Sequence, residues 1–311
     1  MFGPVLLAAS RSDRMRRVVA AAPVTRPVVN RFVAGDALHP ALDTVRALTA
    51  SGLDVTLDHL GEDVTDRATA TATRDAYLRL LETLRDERLG ARAEVSVKLS
   101  AFGQALPDGG HDIALAGVRA VAELASETGT TVTLDMEDHT TVDSTLAILA
   151  ELRKEHPGTG AVLQSYLFRT EEDARALAVA GSRVRLVKGA YKEPARVAFQ
   201  NKRDVDKAYV RALRTLFAGD GYPMVGSHDP RMIAIAQEFA ARHGRAPGTY
   251  EFQMLYGIRT AEQRRLADEG ERMRIYVPYG ADWYGYFMRR LAERPANLAF
   301  FLRSFAPAAG R

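Results

Sequence analysis

The 311-residue sequence contains no cysteine. That excludes disulfides, thiolate nucleophiles and cysteine-ligated iron–sulfur clusters, and it fits a cytoplasmic setting. Also missing is any apolar run near the roughly eighteen residues that a membrane-spanning helix needs. No secretory signal is expected, because the apolar stretch Val5–Ala9 precedes Arg11, Arg14, Arg16 and Arg17, the reverse of the usual order. A surplus of one charge is lacking too: 42 basic against 39 acidic side chains leave a formal +3, with the signs interspersed. Nucleic acid is therefore not an expected partner. The basic, apolar N-terminal segment leaves peripheral contact with the inner face of the membrane as an expectation.

No linker, low-complexity tract or repeat longer than one strand–helix unit interrupts the chain; what it does contain is an alternation. Short β-rich runs occur at Leu53–Asp58, Glu94–Leu99, Thr131–Met136, Ala161–Tyr166, Arg183–Val187, Tyr222–Ser227, Tyr250–Leu255 and Arg274–Val277. Between them lie helical patterns at Arg74–Arg88, Ile113–Glu127, Val142–Glu155, Glu171–Ala180, Asp204–Phe217, Pro230–His243 and Thr260–Asp268. Eight strands with helical crossovers predict an α/β fold, a (β/α)8 TIM-like barrel. An open doubly wound sheet is the rival, but no Gly-x-Gly-x-x-Gly turn follows any strand. Ahead of the barrel, helices are expected around Pro4–Ala20, Val24–Val33 and Pro40–Thr49. Residues 1–52 thus read as an N-terminal helical segment packed on the barrel, and 53–311 as the catalytic barrel with its C-terminal helix.

Active sites of such barrels sit at the C-terminal strand ends. Those ends carry Asp58, His59 and Glu62, then Lys98, Asp135, Glu137, Gln164, Arg185, Lys188, His228, Asp229, Gln253 and Tyr276, against a barrel interior expected to be otherwise apolar. His59, His139 and His228 are metal-ligand types, but none has the spacing of a zinc motif, so no metal is expected. Lys98 or Lys188 could instead form a Schiff base, which keeps a lyase reading open; a silent binding barrel is the third. After the last strand, Pro278 and Gly280 mark a break and a helix starts near Ala281 or Asp282. Its periodicity puts Trp283, Tyr286 and Arg290 on one face, and Arg289 with Arg290 offers two planar forks suited to a carboxylate.

Several ordered blocks carry a resemblance: Leu57–Glu62, Ser96–Ser100, Leu134–Glu137, Arg185–Tyr191 (Arg-Leu-Val-Lys-Gly-Ala-Tyr), Phe252–Leu255, and Tyr276-x-Pro278 with Arg289-Arg290-x-x-Glu293. From about Asp54 onward the chain resembles proline dehydrogenase, with Lys192 standing where that family often has tryptophan. The resemblance implies FAD as cofactor and L-proline as substrate, oxidised to 1-pyrroline-5-carboxylate by hydride transfer to flavin N5. It also implies a membrane quinone as electron acceptor and a separate pyrroline-5-carboxylate dehydrogenase for the next step. Arg289, Arg290 and Lys98 would bind the proline carboxylate, with Asp135 as acidic partner and Glu62 as a gate over Arg289. Ala190, Leu255, Tyr276 and Tyr286 would surround the ring, and Arg185, Lys98 and Asp135 would be catalytic. The flavin would lie against Met136, Gln164, Arg185, Val187, Lys188, Gly189, Ala190, Tyr191, Ser227, His228 and Glu293.

Overall fold

The computed structural model describes residues 26–293, the side chains of 292 and 293 excepted. The expected helix Pro4–Ala20 lies outside them, and of Val24–Val33 the described part contains one helical turn, α1 (Arg26–Val29). Helix α2 (Leu38–Ala50) follows, and then the alternation begins. Strands β1 (Asp54–His59), β2 (Ala93–Val97), β3 (Val132–Leu134), β4 (Gly160–Gln164), β5 (Arg183–Val187), β6 (Tyr222–Gly226), β7 (Glu251–Leu255) and β8 (Met273–Tyr279) form a closed barrel in chain order. Every pairing is parallel, including β8 back onto β1. The crossovers carry α3 (Arg67–Asp86), α4 (Gly110–Thr128), α5 (Val142–Leu152), α6 (Thr170–Leu177), α7 (Lys202–Ala218), α8 (Pro230–Arg242) and α9 (Thr260–Asp268). Helix α10 (Trp283–Glu293) follows β8. No helix among the described residues is long and apolar enough to cross a membrane.

Two boundaries differ from the sequence reading for identifiable reasons. Helix α3 begins at Arg67 rather than Arg74, because Asp66 caps it by accepting from Thr69 N and Thr69 Oγ1, both at 2.8 Å. Strand β8 does not break at Pro278 but runs on to Tyr279, with Pro278 opposite Asp58 and Tyr279 opposite His59. Proline tolerates extended backbone and loses only its N–H. Its carbonyl accepts from Ala34 N at 2.9 Å, in the segment after α1, and Gly35 O accepts from Gly280 N at 2.9 Å.

The alternation along each strand divides the molecule into two chemically distinct layers. Val55 and Leu57, Val95 and Val97, Val184 and Leu186, and Ile275 and Val277 face outward into one apolar core with Tyr77, Leu80, Leu81 and Leu84 of α3. Each such side chain contributes about 1.5–3 kcal/mol on burial. The intervening positions point inward, and here the expectation of an apolar interior is overturned. Glu94, Glu251 and Arg274 are all buried, with Arg183 Nη2 2.6 Å from Glu94 Oε2 and Arg274 Nε 2.8 Å from Glu251 Oε1. Buried ion pairs roughly break even against their desolvation, so the outer layer holds the barrel and the inner one is free to carry chemistry.

A second apolar cluster lies apart from the first. Val28, Val29, Phe32 and Val33 pack against Trp283, Tyr284, Phe287, Met288 and Leu291, with Leu60 and Ile258. Helix α10 is therefore pinned to the barrel mouth by the segment preceding α2.

Candidate active site

At the C-terminal strand ends opens a cavity of about 810 Å³, walled by strand-end side chains and by α10. That is within the range of small-molecule sites. The parallel register brings Asp58 level with Ser96 and, two residues on, Lys98 to the same rim. Lys98 Nζ donates to both Asp58 carboxylate oxygens at 2.7 Å. Burial works to lower the Lys98 pKa, but Asp58, Asp135 and Glu62 outweigh it and hold the amine well above its ordinary value. Lys98 therefore stays an ammonium.

Asp135, expected as the acidic partner of the substrate clamp, is engaged elsewhere. Its Oδ1 accepts from Arg185 Nη1 at 2.7 Å and Ser96 Oγ at 2.8 Å, and its Oδ2 from Tyr276 OH at 2.6 Å. Burial, then Asp135 and Asp58, push the Tyr276 phenol far above its usual range, so it remains a donor. Arg185 lies over the Tyr276 ring, with Cζ 5.3 Å from its centroid. The counter-charge of Lys98 is thus Asp58, which the sequence reading set at the rim without a role.

On α10, Arg289, Arg290 and Tyr286 line the cavity, whereas Trp283, expected on the same face, packs edge-on against Tyr284 and Phe287. Arg290 lies over Tyr286, with Cζ 5.1 Å from the ring centroid. Glu62 is not part of the wall; it reaches in from the loop after β1 and accepts from both terminal nitrogens of Arg289. Leu255, Ala190 and Tyr191 complete this side. Burial pushes the Tyr191 phenol up, with Glu62 and Glu137 adding to it.

The cavity is also lined by Met136, Gln164, Val187, Lys188, Gly189, Ser227 and His228. Gln164 Nε2 donates to the Met136 carbonyl at 3.0 Å, while its buried Oε1 has no hydrogen-bond partner among the described residues. Gly189 has φ +117°, and a Cβ there would come within 2.5 Å of the Tyr166 ring. Backbone rather than side chain therefore forms the wall at that point. Lys188 is tied to Asp206 at 2.5 Å and Asp229 at 2.9 Å. His228 Nε2 accepts from Leu255 N at 2.9 Å, and the His228 carbonyl accepts from Arg259 Nη1 at 2.7 Å. The Glu293 side chain lies outside the described residues. The rim histidines do not gather: His139 pairs with Glu193 at 2.5 Å, and His59 packs edge-on against Tyr279. Among the described residues the one cluster of metal-ligating type is Glu123, Glu155 and His156, away from the cavity.

Arg259 and Gln253 also line the cavity. Arg259 was missed, and Gln253 was placed only at a strand end. The period-two runs Glu94-Ser96-Lys98 and Glu251-Gln253 in otherwise apolar strands were the available signal for the inner layer.

A sequence model described as proline dehydrogenase matches residues 41–303. The chain belongs to the proline dehydrogenase family. It is 41% identical over 279 residues to proline dehydrogenase 1 of Bacillus subtilis, covering 90% of this chain and 91% of that protein. It is 42% identical over 280 residues to the proline dehydrogenase of Deinococcus radiodurans, covering 89% of each. Among solved structures, proline utilization A of Bdellovibrio bacteriovorus, inactivated by N-propargylglycine, superposes with a TM-score of 0.79. The identity is 27%, covering 91% of this chain and 34% of that longer one. As a proline dehydrogenase family member, the chain is an oxidoreductase of proline catabolism on a TIM-like barrel. The lyase and silent-barrel readings fall away, and both lysines offered for the lyase are ion-paired, Lys98 with Asp58 and Lys188 with Asp206 and Asp229.

Proposed function

We propose that this protein oxidises L-proline to 1-pyrroline-5-carboxylate with FAD bound in the cavity and passes the electrons to a quinone. The observation that carries this reading is one cavity that holds both the pair Arg289 and Arg290 and the strand-end Gln164, whose buried Oε1 has no hydrogen-bond partner among the described residues. The arginine forks suit a carboxylate. An amide oxygen suits a ring N–H, and the Gly189 backbone allows close approach of a planar group. The residues present therefore fit a flavin: Gln164 would hold its ring, Arg185 its redox-active edge, and Val187, Lys188, Gly189, Ser227 and His228 the remainder.

When bound, the flavin supplies the two-electron acceptor for the hydride leaving the proline carbon next to nitrogen. The chain's own residues prepare that event. Arg289 and Arg290 clamp the carboxylate, and Lys98, kept charged by Asp58, adds attraction. Leu255, Tyr276 and Tyr286 surround the ring and exclude water, while Glu62 closes over Arg289. Proline enters with its secondary amine already deprotonated, that proton having gone to bulk water, so its lone pair can form the C=N bond as hydride departs. The protonated imine that results loses its N–H proton to water on release. Positioning carries this catalysis, with no general base required.

We propose the division into an N-terminal segment, 1–52, and a catalytic unit, 53–311, of which the described parts are 26–52, packed on the barrel, and 53–293. That arrangement is supported by Ala41, Leu42 and Val45 of α2 in the main core. A cytoplasmic enzyme touching the membrane face from its N-terminal segment, with a separate dehydrogenase consuming the product, completes the reading. The test is a visible spectrum: flavin absorbance that bleaches when proline is added without oxygen supports it. A protein that takes up no flavin, or whose flavin ignores proline, would sink it.

A further inference from the structure

On β7, Gln253 lines the cavity and Glu251, which does not, occupies the preceding inward position. Glu251 is 0% exposed, and its Oε1 accepts from Arg274 Nε at 2.8 Å and from Gln253 Nε2 at 2.5 Å. That contact dictates how the Gln253 amide is turned. Only its nitrogen end can face a carboxylate; the reverse would set two acceptors against each other in a buried site. The amide oxygen is thereby delivered to the other side, where it accepts from Arg185 Nε at 2.5 Å. Arg185 is gripped at a second nitrogen as well, Nη1 by Asp135 at 2.7 Å and Ser96 at 3.2 Å. A planar guanidinium held at two of its three nitrogens cannot swing in its own plane.

We propose that Glu251 and Gln253 are positioning residues for Arg185: Glu251 orients the Gln253 amide, and its oxygen fixes the guanidinium at the flavin edge, setting the cofactor's reduction potential. This rests on the flavin reading above. Reduction adds negative charge to the flavin, and a cation fixed in place stabilises that charge without having to reorganise. Released at Nε, Arg185 is free to settle toward its carboxylates, Asp135 at 2.7 Å and Glu94 at 3.7 Å, at the flavin's expense.

The test compares holoenzymes carrying Gln253→Met and Gln253→Glu. Gln253→Met keeps the length and removes the hydrogen bonds to Glu251 and Arg185, together with the weak one that Nε2 donates to Met224 Sδ at 3.3 Å. It should lower the flavin midpoint potential and slow flavin reduction by proline about tenfold or more. Affinity for tetrahydrofuran-2-carboxylate, the oxygen analogue of proline, should change by less than about twofold, because the α10 arginines are untouched. Gln253→Glu is the rescue. While protonated, its carboxyl can donate to Glu251 and accept from Arg185 as the amide does, so the wild-type potential should be retained at low pH. It should be lost as pH rises and a second carboxylate ionises beside Glu251. If Gln253→Met does not fold, the pH-dependent potential of Gln253→Glu decides alone. Variants whose potentials match wild type at every pH overturn the relay, as does a Glu variant equally impaired throughout. A wild-type protein that binds no flavin overturns the flavin reading and the relay together.

Discussion

Inside the barrel, Lys98 meets both oxygens of Asp58 at 2.7 Å and Arg185 meets Asp135 at 2.7 Å, on strands locked by parallel pairing. On α10, Arg289 and Arg290 stand on a helix packed in the second apolar cluster, and the partner of Arg289 is Glu62, a loop residue whose side chain is 25% exposed. The two regions bring cations to one cavity under different constraints. A strand-borne charge with a buried partner fixes the field and cannot be exchanged alone. A helix-borne charge whose partner is a partly exposed loop residue can trade that partner for a ligand carboxylate.

The largest effect should come from breaking an interior pair. Asp58→Asn leaves the Lys98 ammonium buried without its counter-ion and should destabilise the fold by about 3–5 kcal/mol. Lys98→Met combined with Asp58→Asn should cost less than Asp58→Asn alone, because no unpaired charge remains. Urea unfolding of Asp58→Asn, Lys98→Met and the double variant measures this; strict additivity would mean that the pair is not a unit. At α10 the reverse is expected. Arg290→Met should raise KM for proline by the equivalent of about 2–4 kcal/mol while leaving unfolding midpoints and flavin affinity little changed. A near-normal KM would remove Arg290 from the clamp.

Glu137 sharpens the contrast from a third direction, being a buried carboxylate with no cation at ion-pair distance among the described residues. It accepts from Ser100 N at 2.9 Å and Ser100 Oγ at 2.6 Å, yet burial still pushes its pKa up to about 7. A carboxyl whose folded pKa lies above its unfolded value of 4.5 stabilises only while protonated. That contribution is complete below the unfolded value and is lost as pH rises through about 7, a change of roughly 2–3 kcal/mol. Glu137→Gln should flatten the stability profile across this window and be the more stable protein at pH above it. Parallel profiles for the two proteins would show that Glu137 does not titrate there.

The same contrast governs what the sequence disclosed. The barrel was legible because outward strand positions must be apolar to meet the helices, and that rule produced eight β-rich runs with helices between them. The cavity residues were legible as residues, through strand ends and the Arg185–Tyr191 and Arg289-Arg290 blocks. Their partners were not. That Lys98 takes Asp58 and Asp135 takes Arg185 and Tyr276 follows from barrel closure, which brings together side chains 40 to 141 positions apart. No local period encodes such pairings. The continuation of β8 through Pro278 was missed for a related reason, since it is held by hydrogen bonds to Ala34 and Gly35 far away in the chain, whereas the start of α3 carried a local signal in the Asp66 cap on Thr69.

Tyr276 stands where the two regions meet, so it offers the finest division between them. Its hydroxyl belongs to the interior network, donating to Asp135 Oδ2 at 2.6 Å, while its ring lines the cavity that α10 covers. If the ring walls the substrate, a hydroxyl on the fourth carbon of proline has neither room nor partner, and L-proline should be strongly preferred over trans-4-hydroxyproline. Tyr276→Ser opens that space and leaves a small hydroxyl in it. The preference should narrow by about 1–3 kcal/mol, roughly 10- to 200-fold in the ratio of kcat/KM values, with proline efficiency falling through lost packing. Tyr276→Phe separates the two roles. It keeps the ring and its shape, so the preference should persist, but it deprives partly buried Asp135 of a donor and so loosens the group that holds Arg185. Steady-state kinetics of the three proteins with both substrates decides the matter. A ratio unchanged in Tyr276→Ser would assign the wall to Tyr286 on α10, and a ratio that collapses equally in Tyr276→Phe would assign selectivity to the hydrogen bond rather than to the ring.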